Sequence, residues 1–300
     1  MASITDADLE HWREHGYVVV QLLSEDEIAA ALANIYEYMP PWEAYAAHPR
    51  WYAESVAATS GRLRTHATFP FVGDALNDIT LHPELVAFAE RVIGTDRLVL
   101  SHAQLGGKYA GTRDFEQSLH SDFGNNTLVY PPPDEAIIDL PAIIYYTDVT
   151  IGLSPTYVVP AEHTRGEVLG RGFRPRAQYP GLYEHEFPVL VPAGSVLIYS
   201  MNTFHRGSAL TASEGVRFAE NIGFCRADAP WCGQETHQHE GGRPEMDHFL
   251  ERATPRQREL AGFPRVGDPY WTETTLTGVA ARYPGMDMTP YRRASELGRS

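Results

Sequence analysis

Apolar and polar positions follow two different rhythms along the chain. Near the N-terminus Leu9 and Trp12 recur at helical spacing, with Thr5 as the cap and Gly16 as the stop. Tyr17-Val18-Val19-Val20 then reads as a short buried strand. Ser24-Glu25-Asp26-Glu27 is a capping box that opens a second helix through Ile28, Leu32 and Ile35. Residues 40 to 80 are irregular and aromatic: Trp42, Tyr45, Trp51, Tyr52, Phe69 and Phe71 either pack core and loops or line a pocket. A helix from Pro83 to Ile93, stopped by Gly94, closes this region.

From about residue 97 to 226 the rhythm shortens. Arg97-Leu98-Val99-Leu100, Ala142 to Tyr146, Tyr157-Val158-Val159 and Ser195 to Tyr199 are strand-like. Pro131-Pro132-Pro133, Pro192-Ala193-Gly194 and Ser213-Glu214-Gly215 break them. Many short strands with Gly and Pro turns predict a barrel or jelly roll. Glu245 to Leu260 is predicted helical, and the stretch holding Pro264, Pro269, Pro284 and Pro290 is predicted to be an extended tail wrapping the core. No internal repeat or linker is visible. One domain over residues 1–300 follows: a helical region to about 95, a β core over about 97–226, and a C-terminal helix and tail over about 227–300.

Composition narrows the functional classes. The net charge of -15 repels phosphate backbones and anionic lipid, so neither nucleic acid nor a membrane is an expected partner. No apolar run is long enough to span a bilayer, and Met1 to Asp6 lacks the regions of a signal peptide. The two cysteines, Cys225 and Cys232, form no disulfide framework or zinc ribbon. A cytoplasmic enzyme is the expectation. Lys108 is the only lysine, a bias that base composition accounts for.

The candidate chemistry lies in two separated segments. His120 and Asp122 form a His-x-Asp pair, and His205 lies far downstream. Two histidines and one carboxylate on one face of a metal form the facial triad of non-haem Fe(II) oxygenases. Residues two apart on a strand share a side, so His120 and Asp122 can reach one metal, with His205 on a neighbouring strand. A lone His-x-Asp triplet is expected about once by chance in such a chain. The second cluster adds weight. His205 to Leu210 and Val216 to Cys225 are predicted to form a hairpin around Ser213-Glu214-Gly215. Strand parity puts Val216, Phe218, Ile222 and Phe224 on a helix-covered face and Arg217, Ala219, Asn221 and Gly223 on the other. A buried Arg217 needs an anion, either a bound dicarboxylate or an internal salt bridge. Glu214 is one internal option, whereas Glu220 falls on the opposite face. His237-Gln238-His239 reads as a solvated loop, His102 and His163 as structural or pocket residues, and Cys225 as core.

Taken together, these residues resemble the phytanoyl-CoA dioxygenase family of Fe(II)/2-oxoglutarate oxygenases. Leu9 to Val20, Gln104 to Lys108 with His120-Ser121-Asp122, Thr147 to Thr150 with Ser154 to Pro160, and Ala193 to Tyr199 with His205, Gly207, Ser208 and Arg217 carry the likeness. The resemblance implies a double-stranded β-helix, a cupin-like jelly roll, mainly β with flanking helices. It implies that His120, Asp122 and His205 bind Fe(II), that Arg217 with Ser208 holds the far carboxylate of the cosubstrate 2-oxoglutarate, and that Thr156 and Gln117 are further contacts. It also implies O2 as oxidant, with release of succinate and carbon dioxide. Two departures stand out: Pro160-Ala161-Glu162-His163 replaces the family's Pro-Gly-Ser-His, which would alter the pocket rim, and Gly207 precedes Ser208 where the family often has serine. Halogenases of this type carry a small residue where Asp122 stands, so hydroxylation, desaturation, epoxidation or cyclisation is expected instead.

The substrate is expected to be a medium-sized, partly apolar free molecule such as a specialised metabolite, with Gln104, Asn125, Asn126, Tyr145 and the aromatics of 42–71 as pocket candidates. Without a basic patch for coenzyme A phosphates, an acyl-CoA hydroxylase is less favoured. A non-catalytic or zinc-bound jelly-roll binding protein would keep the fold without the chemistry. A metal-dependent isomerase or hydrolase would use the same ligands without needing Arg217. Oligomeric state is not legible.

Overall fold

A computed structural model describes residues 3–49, 66–111, 116–123, 139–167, 169, 172–228 and 243–297. Trp51, Tyr52, Asn125, Asn126, Pro131 to Pro133, Cys232, His237 and His239 lie outside the described residues.

The two predicted opening helices form as their caps require. Thr5 and Asp8 make a reciprocal capping box for Asp6–His15, and Gly16 ends it in the left-handed conformation at φ 78°. Ser24 and Glu27 do the same for Glu25–Ile35. Between these helices β1 (Tyr17–Gln21) joins the edge of a large sheet. The predicted helix Pro83–Ile93 ends at Gly94, and two unforeseen short helices, Trp42–Ala47 and Asp74–Thr80, fill part of the irregular region.

The remaining described strands are β2 (His66–Thr68), β3 (Leu98–Tyr109), β4 (Asp139–Tyr145), β5 (Thr156–Val158), β6 (Phe187–Pro188), β7 (Ser195–Tyr199), β8 (His205–Gly207) and β9 (Val216–Arg226). They form two antiparallel sheets facing each other, a jelly roll of the double-stranded β-helix type with helices on its larger sheet. The larger runs β1-β7-β4-β9-β3-β2 and the smaller β6-β5-β8. The predicted hairpin of His205–Leu210 with Val216–Cys225 does not form. β8 pairs with β5, and β9 pairs with β3 and β4. The turn at Ser213 to Gly215 carries the chain from one sheet to the other, so a hairpin-like sequence signal marks a crossover. The predicted helix over Glu245 to Leu260 is two helices, Pro244–Arg252 and Pro255–Leu260, because Pro255 cannot extend the first. The tail is partly helical rather than extended: Thr272 caps Glu273–Arg282, and Thr289–Leu297 follows. Fully buried Arg258 fastens it, donating to the carbonyls of Leu250 and Asp287.

The two faces of the large sheet do different work. Phe218, Ile222 and Phe224 of β9 face the helices, in the core with Leu76, Leu85 and Phe88. Ala219 faces the small sheet, with Ile143, Tyr145, Leu197 and Tyr199. Glu220 breaks the apolar pattern on the helix side. Its Oε1 lies 2.7 Å from Thr80 Oγ1, and its Oε2 accepts from the Tyr146 hydroxyl at 2.5 Å. Thr80 has one hydroxyl proton, and the Leu76 carbonyl at 2.8 Å accepts it. A proton on the Glu220 carboxyl then completes the Oε1 contact, which fits its being pushed up to about 7 by burial.

This buried acid has a measurable consequence. Glu220 keeps, in the folded state, a proton that the unfolded chain with its ordinary value of 4.5 releases. Its contribution therefore makes stability fall as pH rises from about 4.5 to about 7. Thermal melts of wild type and Glu220→Gln across that range should show a shallower decline in the variant; parallel curves would contradict a neutral Glu220.

Candidate metal and cosubstrate site

The two histidines meet through the backbone. His120 and His205 form an antiparallel bridge in which each N–H donates to the other's carbonyl, at 3.0 and 2.9 Å. Paired residues project to one side, and the two rings lie 4.4 Å apart between centroids. Asp122 sits one step beyond this bridge, at the start of a short helical turn rather than on a regular strand. Its Oδ1 lies 3.9 Å from His120 Nε2 and 3.7 Å from His205 Nε2. Among the described residues these three side chains are the one His/Cys/Asp/Glu group able to converge on a metal, with ligand atoms all within 4.8 Å of one another.

The surroundings prepare both imidazoles. Nδ1 of His120 lies 3.2 Å from the Ser118 carbonyl, and Nδ1 of His205 lies 3.0 Å from the Thr203 carbonyl. A carbonyl only accepts, so Nδ1 carries the proton and Nε2 keeps its lone pair toward Asp122. Burial, then the neighbouring His205, lowers His120 to about 4, so it is neutral at physiological pH. Two neutral imidazoles and one carboxylate on one face are the donor set that suits Fe(II). The Tyr199 hydroxyl donates to Asp122 Oδ2 at 2.9 Å, and its ring lies 4.6 Å from that of His205. Phe173 stands edge-on to His120 at 5.2 Å and is exposed, on the open side of the group.

The predicted cosubstrate contacts cluster at one end of the inner face. Arg217 donates to the Ser154 carbonyl. Ser208 Oγ donates to the Pro155 carbonyl at 2.7 Å, and Thr156 Oγ1 accepts from Tyr145 at 3.0 Å. Thr156 pairs with Gly207, whose N–H donates to Gln117 Oε1 at 3.0 Å. The structure thus brings Arg217, Ser208, Thr156 and Gln117 into one neighbourhood, and adds fully buried Tyr145 to it. Sequence reasoning missed Lys108. It is the register partner of Arg217, and its Nζ donates to Ser154 Oγ at 2.8 Å. Parity along β3 was the available signal, since Gln104, Gly106 and Lys108 share one side. Glu162 was expected at the pocket rim; it instead meets His15 Nδ1 at 3.0 Å, tying the opening helix to the chain after β5. His102 lies on the inner face beside Ser101, and Cys225 is buried in β9.

A sequence profile of the Phytanoyl-CoA dioxygenase (PhyH) family matches residues 12–219. The chain belongs to the phytanoyl-CoA dioxygenase family. It is an oxidoreductase that uses iron and 2-oxoglutarate. Comparison with curated proteins gave no match. Solved structures share the fold of this family member. The non-heme alpha ketoglutarate dependent carbocyclase SnoK from nogalamycin biosynthesis is 22% identical, covering 79% of this chain and 89% of its own, at a TM-score of 0.56. EctD from S. alaskensis is 15% identical over 76% of this chain and 79% of its own, at 0.57. HygX from Streptomyces hygroscopicus, solved with nickel and 2-oxoglutarate, is 14% identical over 74% and 87%, at 0.52. Among the described residues no helix is long and apolar enough to cross a membrane.

If the triad is the iron site, His205→Ala removes one of three protein ligands. Loss of a mere outer-shell partner costs roughly 10–100-fold in metal affinity, and His205→Ala should cost more. Metal analysis of protein loaded with Fe(II) under anaerobic conditions checks this; undiminished iron in the variant would contradict it.

Proposed function

We propose that this enzyme hydroxylates, desaturates, epoxidises or cyclises a free small organic molecule, with His120, Asp122 and His205 as iron ligands. The observation that carries the reading is the convergence of two Nε2 lone pairs and Asp122 Oδ1, each histidine locked by an Nδ1 contact to a carbonyl. Iron bound there would supply oxidative decarboxylation of 2-oxoglutarate to succinate and carbon dioxide, coupled to oxidation of the substrate.

The chain's own residues bind and orient the cosubstrate. Arg217 offers a planar fork suited to the far carboxylate of 2-oxoglutarate. Lys108 beside it adds positive charge to the same end. Ser208 and Thr156 supply hydroxyls there, with Tyr145 holding Thr156. Gln117 braces Gly207 and so acts through the backbone of β8. Val158, Val189 and Leu197 make the packed part of the inner core apolar. Asp122 fills the position at which a halide would otherwise bind, which favours oxidation over halogenation.

The acidic chain favours a free molecule over an acyl-CoA. Its single lysine is engaged inside the barrel and is not available to grip the phosphates of coenzyme A. The neighbouring folds from nogalamycin biosynthesis, and HygX solved with hygromycin B, make a specialised metabolite the fitting class.

Purified protein given Fe(II), 2-oxoglutarate and O2 should form succinate, slowly without substrate. A hydrogen bond to a charged group contributes about 1.5–3 kcal/mol, so Arg217→Ala should raise the KM for 2-oxoglutarate roughly ten- to hundredfold. Succinate formation that is absent from wild type, or a KM that is unaltered in the variant, would overturn the assignment.

A further inference from the structure

Asn221 occupies an unusual place. β9 is an interior strand of the large sheet, paired along its length with β3 and β4. At its middle, on the face toward the small sheet, Asn221 is exposed, whereas Phe218, Ala219, Glu220, Ile222 and Gly223 around it are buried. An exposed residue there means that the inner wall opens into a solvent-filled space at this point. Its register partner on β3 is Gln104, itself half-buried, and its partner on β4 is the apolar Ile143.

Several other polar groups of this wall are already engaged. Lys108 bonds Ser154, Tyr145 bonds Thr156, and Tyr199 bonds Asp122. The Asp139 carboxyl takes a hydrogen bond from Ser101 and is buried. Neither side-chain amide of the Asn221–Gln104 pair has a hydrogen-bond partner among the described residues. Beyond Asn221 the wall is closed by its own side chains. Gly223, the next inward position of β9, has no Cβ, and one placed there would lie 2.5 Å from Ser101 Oγ and His102 Cε1. The register shift between Leu100 and His102 turns both side chains over that glycine.

We infer that Asn221 and Gln104 form the substrate-recognition subsite, and that it takes the neutral hydroxyl, carbonyl or amide groups of a substrate. This rests on the reading given under Proposed function. Position separates the subsite from the cosubstrate. Asn221 is four residues from Arg217 on one strand, roughly 13 Å at the rise of an extended chain, so the two ends of the wall can be filled together. Chemistry sets the class. Each amide offers two donors and an acceptor oxygen and no charge. Such a pair complements neutral groups that both give and take hydrogen bonds. An anion would be matched by a cation, as at Arg217, and an acyl chain would leave both amides unsatisfied in a closed site, at a cost of about 1–3 kcal/mol each.

The test is a screen followed by two variants. Succinate formation above the substrate-free background is measured with two panels. One holds neutral oxygenated molecules: anthracycline aglycones, flavonoid glycosides and cyclic dipeptides. The other holds phytanoyl-CoA, palmitoyl-CoA, spermidine and putrescine. Stimulation is expected from the first panel, with mass spectrometry showing a gain of one oxygen or a loss of two hydrogens. For the best hit, Asn221→Leu and Gln104→Leu should each raise its KM about tenfold, and raise it more than they raise the KM for 2-oxoglutarate. Stimulation by the second panel alone, a KM for the hit within twofold of wild type in both variants, or no stimulation by the first panel over an intact background would overturn the inference. No succinate from wild type under any condition would instead remove the underlying oxygenase assignment, and the subsite with it.

Discussion

The reciprocal backbone bridge between His120 and His205 is the contact on which the site depends. It joins a segment that belongs to neither sheet's named strands to the edge of the small sheet. Because bridged residues project to one side, a pair of main-chain hydrogen bonds decides that both imidazoles look inward. The carbonyls of Ser118 and Thr203, two residues before each histidine, then fix the same tautomer in both rings. Asp122 follows from the chain's next turn, and Tyr199 reaches across from β7 to hold its second oxygen. The geometry and orientation of the three ligands, and the tautomer of the two histidines, thus come from neighbours within two residues and from one strand opposite.

The large sheet separates stability from chemistry by its two faces. Toward the helices it buries aromatic and branched residues and a neutral Glu220, whose partners Thr80 and Tyr146 close every bond. Toward the small sheet it carries Lys108 and Arg217 at one end, small Gly106 and Ala219 next, and the amides of Gln104 and Asn221 beyond. Alternation along β3 and β9 is therefore a functional gradient as well as a packing rule. Cationic, then apolar, then neutral polar positions succeed one another along the inner wall.

Much of this is legible in the sequence because the signals are local. Capping residues at Thr5 and Ser24, the stops at Gly16 and Gly94, and the apolar run Ser195–Tyr199 all depend on near neighbours. Parity alone puts Arg217 inward and Glu220 outward, and the Glu220 contacts agree. Partner choice is not local. The turn before Val216 looks like a hairpin turn, yet β9 finds β3 and β4, more than a hundred and about eighty residues upstream in sequence. Lys108 reads as a mere compositional residue because its meaning lies in its register with Arg217. Parity places Asn221 on the correct face, but only the opening of the wall at that point distinguishes it from an ordinary strand asparagine. The tail helix Glu273–Arg282 is hidden by flanking prolines, although its Thr272 and Thr275 cap is there to be read.

The most direct test of the account is an anaerobic crystal structure of the protein with Fe(II) and 2-oxoglutarate. The account predicts one metal bonded by Nε2 of His120, Nε2 of His205 and Oδ1 of Asp122, with the far carboxylate of 2-oxoglutarate on Arg217 and the space above Asn221 still open. Iron held by other residues, or a 2-oxoglutarate carboxylate lying away from Arg217, would contradict it.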